Sequence, residues 1–84
     1  MKQETALLFP NPFSTSTTIH IDRPLKDATL TVYDLFGNTV HKRQHLSGSS
    51  LTFNRNHIQS GLYMLYLTEG NRIIMKKKVL ISDY

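Results

Sequence analysis

Ser60-Gly61-Leu62-Tyr63-Met64-Leu65-Tyr66-Leu67-Thr68 is apolar on both faces of an extended chain. Tyr63, Leu65 and Leu67 point one way, and Leu62, Met64 and Tyr66 the other. Such a strand belongs in the middle of a sheet covered on both sides, or partly covered by a neighbour. Ser60-Gly61 interrupts the chain before it, and Glu69-Gly70-Asn71 turns it after. Arg72 to Ile81 then returns as a second extended run. The last third therefore reads as a hairpin of a central strand and a terminal strand.

Outward from that hairpin, no segment holds a helical period. Ala28-Thr29-Leu30-Thr31-Val32-Tyr33-Asp34-Leu35 alternates cleanly, with Ala28, Leu30 and Val32 on one face. Leu35-Phe36-Gly37-Asn38 turns the chain, Gly37 being free to take a positive φ. Thr39 to Arg43 returns with Val40 expected inward, Ser47 to Ser50 reads as a loop, and Leu51-Thr52-Phe53 as a short strand. Ser14 to Ile21 places Thr17, Ile19 and Ile21 on one face, and Asp22-Arg23-Pro24 reads as a turn. Ala6 to Phe9 is a short apolar run stopped by Pro10-Asn11-Pro12, whose prolines withhold donors and suit an edge strand. About seven short strands at intervals of roughly ten residues predict an all-β fold, an immunoglobulin-like antiparallel β-sandwich.

Size and composition bound the function. A chain of 84 residues makes one domain and buries only about 60–65% of its unfolded surface. That leaves no room for a deep catalytic cleft. The absence of cysteine excludes a disulfide scaffold, a thiolate zinc site and a thiol nucleophile. The net charge of +4 is mild, compatible with an acidic partner or with solubility alone. With no long apolar run and no signal peptide, no stable membrane insertion is expected, and the chain reads as a piece of a larger protein. His41 and His45 share a face only on a helix, and His20 and His57 have no acidic cluster beside them, so neither a metal nor another cofactor is expected. No nucleophile elbow or phosphate-cradling glycine loop is present, and the chain is not expected to be an enzyme. Nucleic-acid binding is not expected either, because Tyr63 and Tyr66 fall on opposite faces of one strand and form no single stacking platform.

Four blocks in order carry a family resemblance: Phe9-Pro10-Asn11-Pro12-Phe13 before a Thr-rich strand; Val32-Tyr33-Asp34-Leu35-Phe36-Gly37-Asn38-Thr39-Val40; Ser60-Gly61-Leu62-Tyr63-Met64-Leu65; and Lys76-Lys77-Lys78-Val79-Leu80-Ile81. Over about Leu8 to Ile81 the chain resembles the C-terminal sorting domain of type IX secretion (the Por secretion system) in Bacteroidetes. The resemblance implies a linker remnant at residues 1–6 and a sorting domain at 7–84. It implies a covalently attached N-terminal cargo, carried across the outer membrane through the type IX translocon with its shuttle proteins. It also implies a surface sortase-like cysteine peptidase that cuts near Met1 to Leu7 and often links the cargo to anionic lipopolysaccharide. The cargo would pass the periplasm and end at the cell surface or outside. An accessory adhesion or carbohydrate-binding module on the same sandwich is the alternative.

Within that reading, translocon recognition is expected at Lys76, Lys77, Lys78, Val79, Leu80 and Ile81, through strand addition to an exposed final edge or docking of its apolar tip. The plain alternative is that the lysines guard an edge strand and the apolar residues are core. Lys77 falls on the apolar face, so its head snorkels or a bulge lies inside the lysine run. Tyr63 with Gly61 resembles a tyrosine corner, Asp34 beside Gly37 fixes a turn, and Pro10-Asn11-Pro12 shapes the exit of the first strand. An unpaired terminal strand could also pair two copies edge to edge.

Overall fold

The computed structural model describes residues 6–83. Five antiparallel strands form one sheet: β1 (Ala6–Phe9), β2 (Ser16–Tyr33), β3 (Thr39–Asn54), β4 (Gly61–Glu69) and β5 (Arg72–Ile81). The order is β1-β2-β4-β5, with β3 along the other side of β2. The expected segments lie in these strands except for Ser14, Thr15, Asp34 and Leu35, which fall outside β2, and there are five strands and not seven, because β2 and β3 each fuse two of them. Asp22-Arg23-Pro24 and Ser47 to Ser50, expected as breaks, run inside β2 and β3.

Bulges explain the fusion. The β2–β3 register shifts between His20 and Leu25, between Leu25 and Ala28, and again between Ala28 and Leu30. Extra residues on one strand bend and twist a ladder without ending it. Asp27 and His45 sit at this bend with positive φ, and His45 Nδ1 lies 2.6 Å from Asp27 Oδ1 across it. The first half of β2 is thereby held between β1 and the end of β3, and the second half between β4 and the start of β3. Glu69, at the end of β4, fastens the bend. It accepts from Arg23 Nη2 at 2.6 Å, from Arg23 Nη1 at 3.3 Å and from the Lys26 amide at 2.8 Å. These donors, the Arg23 guanidinium first, pull its pKa down to about 2.

The sheet curls around one core. Ile19, Ile21, Leu25, Ala28, Leu30 and Val32 of β2 meet Leu46, Leu51 and Phe53 of β3, Tyr63, Leu65 and Leu67 of β4, and Ile74, Met75, Val79 and Ile81 of β5. Phe13 closes one end, its ring edge-on to Phe53 at 5.8 Å between centroids. Buried Thr17 is satisfied by donating to the Pro10 carbonyl at 2.7 Å. Val40 does not point inward. A register shift between Val32 and Tyr33 leaves it out of the ladder, and His41 stands opposite Val32 instead, against Phe53. Burial, and then Arg43, push the His41 pKa down, so its ring is neutral at pH 7.

Candidate functional site

β4 lies between β2 and β5, and its two apolar faces meet different fates. Leu65 and Leu67 are fully buried, whereas Leu62, Met64 and Tyr66 are half-buried on an outer face that no further layer of the described residues covers. Register places neighbours on that face directly. Tyr33, Met64 and Lys78 form one row; Lys42, Thr31, Tyr66 and Lys76 form the next; Leu62 and Leu80 stand opposite each other. Tyr33 meets Tyr66 edge-to-face at 5.3 Å, and Lys76 Nζ lies 5.9 Å above the Tyr66 ring. Tyr63 and Tyr66 lie on opposite faces of β4, and it is the β2–β4 register, which the sequence does not carry, that pairs Tyr66 with Tyr33. These two rings stand at 88° to each other, so they offer no flat platform for stacked bases or sugars.

The final strand divides by parity. Lys76, Lys78 and Leu80 face outward, and Leu80 is 40% exposed. Val79 and Ile81 are buried in the core. Lys77 stands opposite buried Leu65, on the core-facing register, yet its side chain is exposed. At an edge strand the four-carbon stem reaches past the sheet to water. The bulge lies ahead of the lysine run: Thr68 opposes Ile73 and Leu67 opposes Met75, leaving Ile74 between. Ile74 and Met75 are consequently both buried, while Ile73 is exposed.

The free edge of β5 is only partly open. Asn11 Nδ2 donates to the Lys78 carbonyl at 3.1 Å, and the Leu80 amide donates to Asn11 Oδ1 at 3.0 Å. One side-chain amide thus imitates a neighbouring strand. Beside it, Phe13 N donates to Leu80 O at 3.1 Å, and Ser82 N to Phe13 O at 2.8 Å, a short parallel bridge. From Lys78 onward the expected edge is therefore occupied by the Pro10-Asn11-Pro12-Phe13 segment. Alternation along the strand turns the N–H and C=O of Lys76 and the N–H of Lys78 toward the part left open. The Phe9–Pro10 and Asn11–Pro12 peptide bonds are cis.

The two turn motifs are locally built. Asp34 accepts from the Phe36 amide at 2.9 Å, the Asn38 amide at 2.9 Å and Asn38 Nδ2 at 3.1 Å. Gly37, at φ +88°, closes the turn by donating to the Asp34 carbonyl. The Asn38 amide, then its side chain, hold the Asp34 carboxyl below the usual range. Tyr63 donates its hydroxyl to the Gln59 carbonyl at 2.7 Å, the geometry of a tyrosine corner, and Gly61 beneath it has φ +152°. A residue that sequence reasoning missed is Arg55. Its guanidinium donates to Ile58 O at 3.2 Å, Ser14 O at 3.1 Å and Asp83 Oδ1 at 3.0 Å, joining the β1–β2 connection and the segment after β5 to the β3–β4 connection. A lone arginine in a polar loop carries no pattern that would reveal this.

Among the described residues, no three His, Cys, Asp or Glu side chains gather where a metal ion would sit. The expected cleavage region near Met1 to Leu7 falls largely outside the described residues.

A family model described as a secretion system C-terminal sorting domain matches residues 7–82. An endo-acting ulvan lyase from Formosa agariphila is 31% identical over 75 residues, covering 89% of this chain and 14% of that protein. The chain thus spans about a seventh of the length of this curated relative.

Proposed function

The chain belongs to the secretion system C-terminal sorting domain family, a family of non-catalytic tails that act as type IX secretion signals, and from that premise we propose how this copy is read. Recognition runs through the outward side of β5: Lys76, Lys78 and Leu80, with Lys77 at the rim. Val79 and Ile81 serve by holding the strand in the sheet. The observation that carries this is the parity of the end of β5, which puts Lys76, Lys78 and the exposed Leu80 outward and Val79 and Ile81 into the core. A receptor strand can add only around Lys76, because Asn11 occupies the edge from Lys78 onward. The same stretch is what β5 leaves for edge pairing of two copies.

The wider reading follows the family. An attached cargo crosses the outer membrane by the type IX translocon and its shuttle proteins. A sortase-like cysteine peptidase then removes the domain, and the cargo reaches the surface, often anchored to anionic lipopolysaccharide, or the medium. The matched span supports taking residues 1–6 as linker remnant and 7–84 as the sorting domain. The bent β2–β3 pair supports an immunoglobulin-like two-layer description, its halves serving as separate strands of two faces. The ulvan lyase relative suggests a polysaccharide-degrading enzyme as one kind of cargo.

The test is export of a periplasm-directed fluorescent protein fused ahead of this chain, in a bacterium with type IX secretion. Truncation after Met75 is uninformative alone, since it removes Val79 and Ile81 from the core. The triple variant Lys76→Ser, Lys78→Ser, Leu80→Ser keeps the core. Wild-type export with retention of the folded triple variant supports the reading; equal export of both ends the assignment to β5.

A further inference from the structure

The β2–β3 turn presents apolar residues where a free domain has no use for them. Leu35 is 65% and Phe36 89% exposed. Local necessity does not explain them, because the turn is made by Asp34, Gly37 and Asn38 through five hydrogen bonds. Those bonds hold the two side chains on a fixed backbone, so little ordering is required when they are bound. The tip is continuous with the outer sheet face: Leu35 shares a shallow hollow of about 460 Å³ with Tyr33, Asp34, Gly37, Met64 and Tyr66, the Asp34 carboxylate being engaged by three donors of the turn. Lys42, Lys76 and Lys78 stand on the rows of that face, and none of the residues on those rows is acidic.

We propose that Leu35 and Phe36 form a second anchor for the sorting receptor, entering an apolar pocket whose rim carries carboxylates for Lys42, Lys76 and Lys78. The proposal rests on the sorting reading and adds the site and chemistry of the partner. Charge complementarity selects the occupant. A second copy docked through the same face would set lysines against lysines. A lipid surface would accept the lysines, but it gains nothing from a backbone fixed at two residues. A preformed protein pocket gains from both, as anchor residues at interface centres do.

The experiment uses the same reporter fusion with Phe36→Ser, Phe36→Leu and Phe9→Ser. Phe9 is also strongly exposed, at 74%, but sits at the end of edge strand β1, outside the proposed surface. Loss of one buried phenyl weakens binding by about 10- to 100-fold. Export of Phe36→Ser is therefore expected to fall at least about tenfold, with an unchanged melting temperature, while Phe36→Leu retains most export and Phe9→Ser all of it. Export of Phe36→Ser at the wild-type level overturns the anchor and leaves the sorting reading standing. A wild-type fusion that stays in the periplasm overturns both. If Phe36→Ser instead loses binding to phosphatidylglycerol vesicles as steeply as it loses export, the tip serves a lipid surface and the protein receptor is overturned.

Discussion

The two faces of β5 share a backbone and differ in everything else. Val79 and Ile81 are core, packed with Leu65 and Phe13 in one cluster. Lys76, Lys78 and Leu80, their immediate neighbours, stand on the outer face beside Tyr66, Met64 and Leu62. A sorting signal has to be both a folded shape and a readable surface. A strand meets both demands at once, because successive side chains point to opposite faces. The difference teaches that a contiguous recognition segment, as the sequence suggests it, is in three dimensions two interleaved sets.

The comparison breaks first on the inner face. Ile81→Ala should cost about 2–5 kcal/mol, the usual penalty for emptying a buried aliphatic site, read as a shift of the urea midpoint. Gly61→Val, opposite Ile81 in the β4–β5 ladder, should cost about 1–3 kcal/mol, since φ of +152° is glycine territory; a wild-type melting temperature would remove that role. Asn11→Ala strips two hydrogen bonds from the exposed edge and should cost about 1 kcal/mol. It also uncovers the edge at Lys78 and Leu80, so sedimentation should reveal stronger concentration-dependent association than in the wild type. Lys76→Ser and Lys78→Ser should change stability by about 0.5 kcal/mol or less each, although both lower export. A cost several times larger would erase the distinction between the faces.

Acid sharpens the comparison from outside β5. The folded pKa of Glu69, about 2, and that of Asp34 both lie below their ordinary values. Each carboxylate contributes stability above its unfolded pKa and loses it as pH falls through the folded one. His41, also depressed, resists a proton that the unfolded chain accepts below about pH 6.5, so it too favours unfolding as pH falls. Stability should decline steadily from pH 7 toward pH 2. Glu69→Gln should flatten the lower limb of a thermal-melt series, and an unaltered limb would place the acid sensitivity elsewhere.

Much of the molecule is legible in the one-dimensional pattern. Alternation along Ala28 to Val32 and Tyr63 to Leu67 marks the buried face of the central strands. Gly37 with Asp34, and Gly61 with Tyr63, mark corners whose hydrogen bonds stay within four residues of chain. These features depend on neighbours in sequence, so local chemistry determines them. The bend of β2 and β3 is different. Asp22-Arg23-Pro24 has the composition of a break, yet the paired bulges and the distant Glu69 carboxylate hold it inside a continuous strand. The bulge at Ile74 likewise reverses which isoleucine is buried, since one unpaired residue moves every side chain before it to the other face.

The sequence by itself determined an all-β chain, its turns, most of its core and the family to which its blocks belong. It took the folded sheet to fix which residues of the lysine strand look outward, that Tyr33 meets Tyr66, that Asn11 covers an edge sixty-seven residues away, and that Arg55 ties the β1–β2 connection to the segment after β5. The physical reason is register. A strand's alternation says that it has two faces. Which face is covered, and which edge is left to bond, depends on partners that the chain meets only after it has folded.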